Sequence, residues 1–90
     1  MDLSDYRKRI DSIDAQLLAL FEQRMDVATE IAAYKKERDL PVLDAAREQA
    51  KLDAISARVR PEYAEYARRL YETLFAVSRD RQNRLNDPQT

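Results

Sequence analysis

The 90-residue sequence contains no cysteine, no histidine and no glycine. Without thiols or imidazoles there can be no disulfide, no thiol nucleophile, no imidazole base and no ordinary zinc site. Without glycine there is no phosphate-cradling loop of the P-loop or dinucleotide kind, and a turn that needs positive φ must take it from Asn or Asp. No apolar run approaches the ~20 residues of a membrane span, and no secretory leader is recognisable. The expectation is a soluble cytoplasmic chain with no membrane partner. An excess of one charge is missing too: 16 basic residues face 17 acidic ones for a net charge of −1, although 37% of the chain is charged. A nucleic-acid binder would carry a one-signed field, so nucleic acid is not an expected partner. Any chemistry here must run on Arg, Lys, carboxylates, hydroxyls and amides.

What is present is organised around residues 6–36. Tyr6, Ile10, Ile13, Leu17, Leu20, Val27, Ile31 and Tyr34 step by threes and fours, the seven-residue pattern of a helix packed along its length against other helices. Arg24 interrupts that seam. At about 1.5 Å per residue the stretch spans roughly 45 Å, whereas a compact domain of this size has a radius of gyration of only about 12 Å. Something beyond one copy of the chain must cover the rod, most simply a second copy.

Ser4 or Asp5 is the expected N-cap of this first helix, placed at about residues 5–37. Pro41 forces its predecessor out of helical space and implies a loop over 38–43. Asp44 is the expected N-cap of a second helix at about 44–58, with a thin stripe of Ala46, Ala50, Ala54 and Ala57 supported by Ile55. Pro61 opens a third helix at about 61–85, where its missing N–H costs nothing. That helix carries the stripe Tyr63, Tyr66, Leu70, Leu74 and Val77, thickened by Ala67, Tyr71 and Phe75. Residues 86–90 read as a tail in which Pro88 bars further helix. No alternating strand pattern occurs. The expected fold is all-α, a single domain of three helices, long, short and long.

Several polar residues sit where apolar ones belong. Arg24 and Lys35 are eleven residues apart and share a face, with Ala28 and Ile31 between them. Asp44, Arg47 and Glu48 share a face at the start of the second helix. Ser78 and Gln82 flank the apolar stripe of the third. Each has a plain structural reading as well: Arg24 as a register-setting seam residue, Lys35 snorkelling off the helix end, Asp44 as a cap, Glu48 at the positive helix end, Arg47 in water, Ser78 and Gln82 as edge residues, and Arg7 at the surface. Together they describe a pocket between helices, where bundles build their sites. Buried cations are tolerable when an anion neutralises them, so the ligand should be a small polyanion, most simply a dicarboxylate gripped by arginine. With no nucleophile and no imidazole, a rearrangement driven by holding one conformer and stabilising developing charge suits these residues.

The chain resembles the all-helical chorismate mutases, small intertwined homodimers that convert chorismate to prephenate. The resemblance runs through Tyr6-Arg7-Lys8-Arg9-Ile10, Asp14, Leu17-Leu18-Ala19-Leu20, Arg24, Lys35, Pro41-Val42-Leu43-Asp44, Arg47-Glu48, Ser78 and Gln82. It implies that Arg24 grips a substrate carboxylate and that Arg7 is supplied across the dimer interface. Lys35 and Gln82 would donate to the breaking ether oxygen. Asp44 and Glu48 would receive the ring hydroxyl, Arg47 would lie in the same shell, and Ser78 would help hold a carboxylate. Arg24, Lys35, Glu48 and Gln82 are thus the expected catalytic set, with no cofactor and no metal. Asp39 stands in the loop where relatives often carry glycine. Two other readings stay open: an isochorismate pyruvate-lyase on the same fold, and a non-catalytic helical dimerisation module.

Overall fold

The computed structural model describes residues 1–87. It contains α1 (Leu3–Glu37), α2 (Ala45–Arg58) and α3 (Ala64–Asn86), with a 3-10 turn at Pro61–Tyr63 leading into α3. No strand occurs among the described residues, so the fold is all-α, long, short and long. The tail expected around Pro88 lies outside the described residues.

α1 begins earlier than the sequence suggested because its cap is Asp2, not Ser4 or Asp5. The Asp2 Oδ1 accepts from the Asp5 N–H and the Asp5 Oδ2 accepts from the Asp2 N–H, both at 3.1 Å. This reciprocal box ties off two donors that the helix leaves unpaired, and it sets the Asp5 carboxylate near the positive helix end.

The far end of α1 closes just as specifically. The Leu40 N–H donates to the Lys35 carbonyl at 2.9 Å and the Asp39 N–H to that of Lys36 at 3.4 Å, the paired bonds of a Schellman motif. The motif needs a left-handed residue, and Asp39 supplies it at φ 53°. In a chain without glycine, the task falls to a residue whose short polar side chain tolerates that region. Asp39→Gly should therefore raise unfolding stability by up to about 1 kcal/mol. A thermal or denaturant midpoint that fell would contradict this account of the turn.

α1 and α2 both pack on α3. α1 presents Ala28 and Ala32, which are buried and small enough to let α3 approach closely. On the same face the Arg81 Nε donates to Thr29 Oγ1 at 3.2 Å. α2 does not use the expected alanine stripe. Ala46, Ala50, Ala54 and Ala57 are exposed, and the buried residues are Leu52 and Ile55. A leucine and an isoleucine bury more apolar area than four methyl groups on the opposite side, and that difference decides which way the helix rolls. Arg68 of α3 pins this orientation, donating to Ser56 Oγ at 3.1 Å and pairing with Asp53. On α3 itself the buried line is Phe75, Ser78 and Gln82, while Tyr66 and Leu70, and Tyr63 in the turn before it, remain exposed.

The molecule measures 54 × 28 × 16 Å with a radius of gyration of 16.4 Å, well above the roughly 12 Å of a compact chain this long. The excess comes from α1. Every residue in 3–23 is exposed, including Ile10, Ile13, Leu17 and Leu20 at 52–60%. The seam continues exposed through Val27, Ile31 and Tyr34.

Candidate active site

Where the three helices converge they form a half-open cavity of about 570 Å³. One wall is the second half of α1, which presents Arg24, Ala28, Ile31 and Lys35 to it. A second is the start of α2, with Asp44, Arg47 and Glu48, and the third is α3, with Phe75, Ser78 and Gln82. Seven of the eight residues singled out in the sequence thus border one space. Arg7 does not. It lies seventeen residues before Arg24 on a continuous helix, about 26 Å away, and is exposed.

Arg24 leaves the exposed seam and turns toward α3. Its Nη1 donates to Ser78 Oγ at 2.6 Å and its guanidinium carbon lies 5.7 Å from the Phe75 ring centre. The hydroxyl fixes one edge of the guanidinium fork and the ring supports its flat face. Its remaining donors are left for a ligand. A register-setting role on the seam does not describe this side chain, because the seam is not where it points.

Lys35 does not snorkel off the helix end. Its Nζ donates to the Val42 carbonyl at 2.9 Å, so the loop that the Schellman turn shapes also holds the ammonium group at the cavity. An ammonium group has three donors, and two remain.

At the start of α2, Asp44 is the cap, accepting from the Arg47 N–H at 3.1 Å through Oδ1. Its plain structural role is fulfilled, and it borders the cavity as well. Arg47 is exposed at the rim. Glu48 is half-buried and forms an ion pair with Arg79 of α3. Arg79 also lines the cavity, and the sequence reading missed it. The available signal was its grouping with Phe75, Ser78 and Gln82 at offsets of three, four and seven, which marks a single helix face.

Ser78 and Gln82 are not edge residues: both are buried, at 8% and 6% exposure. The Gln82 Oε1 is buried without a hydrogen-bond partner among the described residues. A buried amide left unmatched costs about 1–3 kcal/mol, and this one faces a cavity bordered by cations. The oxygen and nitrogen of such an amide exchange on a half-turn, so the group can present either a donor or an acceptor to a ligand.

Five cations border the cavity (Arg24, Lys35, Arg47, Lys51 and Arg79) against two carboxylates, Asp44 and Glu48. The surplus suits a ligand with about two negative charges. Among the described residues no group of His, Cys, Asp and Glu is arranged to hold a metal ion, and no helix is long and apolar enough to cross a membrane.

Comparison with known proteins identifies the family. The profile of the family described as chorismate mutase type II matches residues 6–83, a span that takes in every wall of the cavity and Arg7. The chain belongs to the chorismate mutase type II family. Among curated relatives, the chorismate mutase of Methanocaldococcus jannaschii is 36% identical over 53 residues, covering 59% of this chain and 54% of that protein. The T-protein of Haemophilus influenzae is 36% identical over 52 residues, covering 58% of this chain and 14% of that protein. The chain thus spans about half the length of one of these relatives and a small part of the other. No solved structure matches it significantly.

Proposed function

We propose that the cavity converts chorismate to prephenate and that a second copy of the chain completes it. The reaction is an isomerisation: the ether C–O bond breaks as a new C–C bond forms, with no proton lost or gained and no co-reactant. It asks the protein to hold the folded conformer and to meet negative charge growing on the ether oxygen. Arg24, steadied by Ser78, grips one carboxylate. Lys35 and the Gln82 amide donate to the ether oxygen. Glu48 and Asp44 receive the ring hydroxyl, and Arg47 closes the rim. The observation that carries this reading is the unpartnered Gln82 Oε1 buried beside a surplus of cations. A dimerisation module has no use for that combination.

Arg7 enters from the other copy. It lies about 42 Å from Lys35 along one helix, so the two can share a small ligand only across antiparallel α1 helices. The exposed seam supports such pairing, since covering a leucine or isoleucine contributes about 1.5–3 kcal/mol and the seam residues Ile10, Ile13, Leu17 and Leu20 all stand open.

The direct test is to add chorismate to the purified chain and follow the loss of its absorbance, with prephenate identified as the product. Absence of turnover would reject the reading, and pyruvate release from isochorismate would move it to the lyase alternative. Sharing of sites is tested by mixing Arg7→Ala chains with Lys35→Ala chains. Each variant alone should be nearly inactive, while random pairing restores about one site in four. No recovery on mixing would place Arg7 outside the site.

A further inference from the structure

Glu48 and Arg79 are 31 residues apart in sequence, yet they meet at the cavity wall. The Arg79 Nη1 donates to Glu48 Oε1. The Glu48 side chain is 22% exposed and that of Arg79 32%, so the pair is sheltered from solvent without being sealed in. A carboxylate offers two oxygens and about four lone-pair sites, and a single guanidinium nitrogen on Oε1 leaves Oε2 to accept from a ligand. A glutamate on the first turn of a helix otherwise keeps three rotatable bonds, and ordering it would draw on ligand-binding energy.

We infer that Arg79 is a positioning residue that holds Glu48 in one rotamer, facing the ring hydroxyl of the substrate. The assignment rests on the chorismate reading given above. Arg79 follows Ser78 directly on α3, and successive helical residues point about 100° apart. One turn of α3 thus reaches two neighbours: Ser78 fixes Arg24 of α1, and Arg79 fixes Glu48 of α2. The carboxylate grip and the hydroxyl acceptor are tied to a common strut, and their separation is set by α3, not by the loop between α1 and α2. Arg79 acts through Glu48 and touches neither the ether oxygen nor the carbons that join.

The test is steady-state kinetics with chorismate on the parent chain, Arg79→Met, Arg79→Lys, Glu48→Gln and the double variant Arg79→Met with Glu48→Gln. Arg79→Met keeps length and apolar stem but removes the charge. It should raise KM about tenfold with little change in kcat, as expected when ground state and transition state lose the same contact. Arg79→Lys, which keeps a cation in reach of the carboxylate, should recover most of that loss. In the Glu48→Gln background, Arg79→Met should cost less than about twofold, because no carboxylate is left to hold. Unchanged KM in Arg79→Met, or losses that multiply in the double variant, would overturn the inference while the parent chain's turnover keeps the chorismate reading intact. Loss of helical circular dichroism in both Arg79 variants would overturn it as well, by assigning the pair to folding. An inactive parent chain would defeat the functional reading, and this assignment with it.

Discussion

Replacing Arg24 with alanine should abolish most turnover and leave the helices in place. Arg24 is the cation most firmly built into the cavity, tied to Ser78 at 2.6 Å and resting on Phe75. Its truncation removes a charged grip on one substrate carboxylate. Such losses run to roughly 3–4 kcal/mol where the other charge is left unpaired, or about a hundred- to a thousandfold in kcat/KM at about 1.4 kcal/mol per decade. The structural cost is smaller. Ser78 loses its partner, at about 1–3 kcal/mol, while the contacts of Ala28, Ala32 and Phe75 that seat α1 on α3 remain. Kinetics paired with circular dichroism separates the two effects. A folded Arg24→Ala chain with near-parental kcat/KM would remove Arg24 from the site.

The second large effect belongs to Gln82. Gln82→Glu keeps shape and volume but changes what the group can offer. A protonated carboxyl still has one O–H to donate to the ether oxygen, whereas an ionised carboxylate can only accept. The variant should therefore work at low pH and lose activity as pH rises through the pKa of the introduced carboxyl. The parent amide has nothing to ionise at this position. At neutral pH the deficit should reach about a hundredfold or more, the usual scale for removing one donor to a developing oxyanion. The check is the ratio of variant to parent kcat/KM across the acid range. A flat ratio would show that Gln82 does not donate in the transition state.

Much of this was legible in the sequence because helical geometry fixes spacing. The eleven-residue interval between Arg24 and Lys35 and the three- and four-residue intervals among Asp44, Arg47 and Glu48 determine which residues share a face, wherever the helices pack. The absence of glycine likewise implied that Asn or Asp would supply any positive φ, and the resemblance put Asp39 in the loop where relatives often carry glycine; Asp39 is the residue at φ 53°. Where the reading failed, the deciding terms were tertiary. Ala46, Ala50, Ala54 and Ala57 form a tidy stripe, yet Leu52 and Ile55 determine the roll of α2 because α3 offers them more area to cover. Arg79 has no counterpart within its own helix that would single it out. Its partner is 31 residues away on another helix, and only the packing of α2 on α3 brings them together. Asp2 was overlooked as a cap because Ser4 and Asp5 stand nearer the first apolar residue, although the Asp2–Asp5 box satisfies two donors at once.

The uncovered seam of α1 has a thermodynamic corollary. In the proposed pair, folding and association are one equilibrium, because the apolar seam along residues 3–23 stays exposed within its own protomer. Apparent stability is then inseparable from protein concentration. Each tenfold dilution lowers the unfolding free energy of the pair by about 1.4 kcal/mol, so the melting midpoint should slide downward in thin solution, and specific activity with it, even though no residue of the cavity has changed.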